Sequence, residues 1–106
     1  MESPEFLPLG SIVAVKGNVK KLMIIARGLA LMQPEGQRYY DYGACLYPEG
    51  LIGDKVIYFN HEAINKTFYK GFIDDDEAMA LENLADTLKY VTLEKGDPQP
   101  FNPEKL

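Results

Sequence analysis

The chain has a single cysteine, a single histidine, and eleven Lys and Arg against sixteen Asp and Glu in 106 residues. Each shortage excludes something. Cys45 alone can form neither an intramolecular disulfide nor a multi-cysteine zinc site, which removes the disulfide-stapled secreted scaffolds and points to a reducing cytoplasm. A formal charge of -5 repels a phosphate backbone unless the cations gather on one face. The one basic cluster, Lys16, Lys20, Lys21 and Arg27, reads as turn and edge lysines, so no nucleic-acid partner is expected. No apolar run reaches the roughly 20 residues that span a bilayer, and the opening residues form no basic-then-apolar leader, so no membrane or export address is expected. The glycines show neither phosphate-loop nor dinucleotide-binding spacing, and no cofactor is expected.

Catalytic constellations are equally scarce. His61-Glu62 is the sole adjacent imidazole and carboxylate, but neighbouring side chains seldom point the same way and there is no second histidine for a metal. The run Asp74 to Glu77 lacks the spaced ligands and glycine of a calcium loop and suits a helix start better. Cys45, between Ala44 and Leu46, reads as a small buried hydrophobe rather than a nucleophile. These readings make the chain a non-enzyme, with no catalytic or metal-binding residue assigned.

What is present is β-forming sequence. Leu7-Pro8-Leu9-Gly10 enforces an extended entry. Strands are expected at Ser11 to Lys16, Lys20 to Gly28 with a possible extension through Met32 past a bend at Gly28, Arg38 to Tyr47, Lys55 to Phe59 and Thr67 to Phe72. Turns fall at Gly17-Asn18 and at Gln33 to Gly36, and Gly43 marks a bulge or tight curvature. Asn60 to Asn65 reads as a loop or a single helical turn. A helix is expected over about 75–90, with Leu81, Leu84, Ala85 and Leu88 on one stripe and an Asp at its cap three residues before Glu77. From Glu94 the composition turns to proline and charge, which reads as a flexible tail over 94–106. The fold class is α+β: one domain over 1–93, a small antiparallel five-stranded curled sheet or an SH3-like barrel, closed by one C-terminal helix.

The aromatic load is the strongest binding signal. Tyr39, Tyr40, Tyr42 and Tyr47 crowd one strand, and Tyr58 and Tyr69 lie on the next two. Tyrosine offers large amphipathic contact area at low entropic cost, so these six are the candidate partner-binding residues, with core filling as the competing role.

The segments LPLGSIVAVKG, KKLMIIARG, YYDYGACLYPEG and YFNHEAI, in this order from Leu7 to about Phe72, resemble the domain-of-unknown-function family 4176, small proteins of Gram-positive Firmicutes. The resemblance implies a product of type VII secretion loci that encode toxins with an LXG export domain. It further implies an accessory, chaperone or adaptor that holds the toxin or its small helical partners before export, and it brings no catalytic residues. The alternatives are a cytosolic immunity protein that neutralises such a toxin and, from another class, a small hydrolase using His61. Self-association through an open sheet edge is also compatible with the pattern.

Overall fold

The computed structural model describes residues 5–96. Its elements run β1 (Ile12–Val15), β2 (Leu22–Gln33), β3 (Gly36–Leu46), β4 (Ile57–Phe59), a 3-10 turn (His61–Ala63), β5 (Ile64–Tyr69) and α1 (Asp75–Leu88). All pairings between strands are antiparallel, in the order β4-β3-β2-β1-β5. The sheet is open, so the closed barrel, one of the two expected arrangements, is not formed; β4 and β5 are its two edges.

The connection between those edges dictates the curl. A flat sheet of five strands separates its outer strands by ~19 Å, four spacings of ~4.8 Å. β4 ends at Phe59 and β5 begins at Ile64, and a 3-10 turn rising only ~2 Å per residue lies between them. Such a link cannot bridge a flat sheet. The sheet therefore rolls until the link touches strands on either side of β2: Lys16, just past β1, donates its N–H to Ala63 O at 2.9 Å, and His61 donates its N–H to Asp41 Oδ2 of β3 at 2.8 Å.

The extension of the second strand past the bend at Gly28 is formed, and it runs one residue beyond Met32. Leu29 to Gln33 continue past Gly28 and pair with Tyr40 back to Gly36 around the two-residue turn Pro34-Glu35. Gly28 holds a φ of 64°, and the register slips between Ile24 and Ala26, so Ile25 bulges opposite the Gly43–Ala44 step. The irregularity expected at Gly43 thus sits on the facing strand. β5 starts three residues earlier than expected, because Ile64 already pairs with Val15; it ends at Tyr69, after which Gly71 donates its N–H to Ser11 Oγ at 3.0 Å. β4 is shorter than expected, at three residues.

The helix forms where its signals stand. Asp74 is the N-cap, its carboxylate accepting the Glu77 N–H at 3.0 Å, and Asp75, Asp76 and Glu77 occupy the first turn. Of the expected stripe, Leu88 is buried in the core and Leu81 and Leu84 pack against it. Leu84 lies over Gly28, where any Cβ would come within 2.5 Å of its Cδ1. Glu77 forms a two-pronged ion pair with Arg27 of β2, at 2.5 and 2.8 Å, with both side chains about nine-tenths buried. The core comprises Val13, Val15, Leu22, Ile24, Tyr42, Ala44, Leu46, Phe59 and their neighbours from Phe6 to Leu88.

Residues 94–96, the start of the expected tail, run parallel to β3 at Tyr39. Tyr39 donates its N–H to Glu94 O and accepts the Gly96 N–H, each at 2.8 Å. The rest of that expected tail lies outside the described residues.

Candidate functional site

The strand with most of the tyrosines is nearly all interior. Tyr39 and Tyr40 are each 2% exposed and Tyr42 is fully buried, so three of the six candidate binding residues fill the core. Tyr58 is half-buried, its ring tilted against Tyr40. Tyr47 and Tyr69 are exposed. Burial thus sets Tyr39, Tyr40 and Tyr42 in the interior and leaves Tyr47 and Tyr69 at the surface.

The polar chemistry of β3 converges on the link between β4 and β5. The Leu7 N–H donates to Tyr42 Oη at 2.9 Å, and Tyr42 Oη lies 2.7 Å from His61 Nδ1. Because the phenol oxygen already accepts from Leu7, both groups are satisfied when its O–H donates to an unprotonated Nδ1, which leaves the imidazole proton on Nε2. Burial, the largest cause, pushes the Tyr42 phenol up to about 12. Next to it, Asp41 is a fully buried acid: Oδ2 accepts the His61 N–H and the ammonium of Lys95 at 3.2 Å. The Asp41 N–H donates to Asn60 Oδ1 at 2.9 Å, and Asn60 Nδ2 donates to Gly96 O at 3.1 Å. Lys95 also pairs with Glu62 at 3.2 Å.

The network shifts several protonation equilibria. Burial of Lys95 opposes its charge, but the Asp41 and Glu62 carboxylates outweigh that and hold the ammonium above the usual lysine range. For Glu62, burial acts upward and is outweighed by backbone hydrogen bonding and Lys95, leaving the carboxyl below the usual range. Burial, then the charge of Asp41, drives the Tyr39 phenol far above its ordinary value.

A cleft of about 390 Å³ opens beside this network, lined by the apolar Phe6, Leu7 and Ile64 and the polar Glu5, His61, Glu62, Thr67 and Lys70. Its side chains offer binding groups. The His61 ring hydrogen-bonds Tyr42, and Glu62 is held by Lys95, so the adjacent pair in the sequence does not assemble into an imidazole–carboxylate relay among the described residues. Cys45 is buried, and burial pushes its thiol up, away from the thiolate a nucleophile needs. The basic cluster is dispersed: Lys20 pairs with Glu49 at 2.7 Å, Lys21 sits over the Phe68 ring, and Arg27 faces Glu77. Among the described residues no group of three or more potential ligands gathers for a metal, and no helix is long and apolar enough to cross a membrane.

Sequence reasoning missed Asp41, Asn60 and Lys95. One signal was available. An aspartate inside a tyrosine-rich strand is out of place in β-structure and out of place in a core, and a buried carboxylate calls for a cation and N–H donors.

Taken together, these features define a small α+β module: a curled open sheet with β4 and β5 as its edges, a helix fixed across its long hairpin, and buried Asp41 and Tyr42 tied to His61 of the link. The chain belongs to the family described as "Domain of unknown function (DUF4176)", which matches residues 6–80. That span covers the sheet and the first turns of α1. No curated protein and no solved structure matches the chain.

Proposed function

We propose that this chain is a non-enzymatic protein-binding module, a cytoplasmic accessory or chaperone/adaptor for a type VII secretion toxin of the LXG kind. The observation that supports binding is β5. It is an edge strand whose residues 65–69 are all exposed, Phe68 and Tyr69 among them. Exposed Phe72 and Ile73 follow directly, and Leu9, also exposed, abuts Gly71. A bare strand edge bordered by apolar side chains suits an extended client segment, with backbone hydrogen bonds giving affinity and alternate side chains giving selectivity. The secretion context comes from the family resemblance.

A second reading, an immunity protein, draws support from α1, whose exposed Asp74, Asp75, Asp76, Glu82 and Asp86 suit a basic toxin. A tagged pull-down from the native cells, repeated with each half of the recovered toxin, tests both. Retention of the N-terminal export half supports the chaperone, and retention of the C-terminal toxic half supports immunity. If only the protein itself is recovered, at a mass by light scattering above that of one chain, the open edge serves self-association instead.

A further inference from the structure

The cations of this acidic chain are unevenly matched. Lys20, Arg27, Arg38, Lys89 and Lys95 each face a carboxylate. Lys16, Lys21, Lys66 and Lys70 are exposed and face none among the described residues. Those four lie together: Lys66 in β5, Lys70 just after it, and Lys16 and Lys21 at the adjoining ends of β1 and β2. A chain of net charge -5 thus gathers four uncompensated cations at one edge of its sheet.

Two of the four are held in a particular way. Lys21 Nζ and Lys66 Nζ lie 4.7 and 4.9 Å from the centroid of the Phe68 ring. Phe68 is the extra residue of a bulge: Val13 pairs with Thr67 and Ile12 with Tyr69, so nothing on β1 stands opposite it and its side chain is re-aimed. Ala14 of β1, paired with Lys66, carries only a methyl and leaves the two long side chains room. A lysine that only guards a sheet edge reaches into water. These two are drawn onto one ring that is itself 43% exposed. Two ammonium groups about one ring repel each other, and acids of neighbouring elements are engaged elsewhere, Glu49 with Lys20 and Glu62 with Lys95.

We propose that Lys21, Lys66 and Phe68 form an acid-recognition point on the β5 surface, where an extended segment of a partner protein places an Asp or Glu carboxylate between the two ammonium groups. The inference rests on the protein-binding reading of β5 and names the chemistry of its client. A carboxylate at this point relieves the repulsion between the lysines, and the segment that carries it covers the ring. A polynucleotide would meet the same lysines together with the field of the whole acidic molecule. A short acidic segment meets mainly what lies within a Debye length, about 8–10 Å.

The test pans a phage-displayed library of random peptides on the full-length chain and measures the enriched peptides, fluorescein-labelled, by anisotropy. Enriched peptides are expected to carry Asp or Glu, and replacing those acids by Asn or Gln is expected to weaken binding about ten-fold or more, as is the double variant Lys21→Gln/Lys66→Gln. Lys89→Gln, at the end of α1, is expected to leave binding unchanged. Affinity is expected to fall as NaCl is raised from ~0.05 to ~0.5 M. The amide-substituted peptides carry the test with no change to the protein, should the double variant fail to fold by circular dichroism. Enriched peptides without an acidic residue, or binding indifferent to the double variant, overturn the inference and leave the binding-module reading standing. No enriched peptide at all overturns the inference and the reading of β5 together. A labelled single-stranded oligonucleotide that binds more tightly than the peptides, and is lost in the double variant, makes nucleic acid the occupant and overturns the proposal. So does a mass by light scattering above one chain that falls to one chain in the double variant, which makes a second copy the occupant.

Discussion

At the scale of single residues, two positions are under tighter control than their chemistry suggests. Gly71 is buried with its α-carbon against the backbone of Leu9, and a Cβ there would overlap the Leu9 carbonyl oxygen. Backbone cannot rotate aside as a side chain can. Gly71→Ala is therefore expected to destabilise the fold by about 2–3 kcal/mol, in the range of overpacked cores, read as a lower midpoint in urea with an unchanged slope. Tyr42 differs in that its ring and its hydroxyl do separate things. The ring packs edge-on to Phe6 and tilted on Phe59, while the hydroxyl alone ties Leu7 to His61. Tyr42→Phe keeps the packing and strands the Leu7 N–H, for an expected loss of about 1–3 kcal/mol in chemical denaturation. No measurable loss would mean that water or a shifted chain end replaces the hydroxyl.

At the scale of elements, α1 is docked by a charge pair as well as by leucines. Arg27 and Glu77 are buried and two-pronged, so removing one partner leaves the other charged and unsolvated. Glu77→Ala is expected to cost about 3–5 kcal/mol. Adding Arg27→Met should recover part of that loss, because the double variant buries no orphan charge. A double-mutant cycle in urea measures both. A double variant less stable than Glu77→Ala would show that Arg27 acts mainly through its hydrogen bond to Leu7 O. The N-cap is a weaker device: Asp74→Ala is expected to cost only about 1 kcal/mol.

At the scale of the whole molecule, the buried network gives the stability a pH profile. Glu62 has a depressed carboxyl, so its contribution is present above the unfolded value of ~4.3 and is lost as pH falls through the lower folded value. Cys45, Tyr39, Tyr42 and Lys95 are all raised. Their contributions are complete below the unfolded values, ~8.5 for the thiol and ~10 for the phenols and the ammonium, and are lost as pH climbs through the folded ones. For Tyr42 that loss extends to about 12. Thermal midpoints measured from pH 4 to 11 are expected to be level between about 5 and 8, to slip above ~8.5 and to drop steeply above ~10. A midpoint that held level or rose from pH 9 to 11 would contradict the burial of the thiol and the two phenols and the pairing of Lys95 with Asp41 and Glu62.

The sequence by itself determined every element whose cause is local. β-branched and aromatic runs gave five strands, Asp74 capped the helix where acid precedes the leucine stripe, and the pattern carried the family. The six tyrosines were visible as a cluster, but which of them face solvent was not, because a strand of tyrosines reads the same whether one face or both are covered. Only the tertiary structure decided that β3 is covered on both sides. The 3-10 link is too short for a flat sheet, so the curl brings β1, β3 and the link together, and residues 94–96 come back over the β3 edge. Asp41 shows the limit most plainly. Its burial is stabilised by His61 and Lys95, 20 and 54 positions away along the chain, and no spacing rule reaches a partner that only folding brings near.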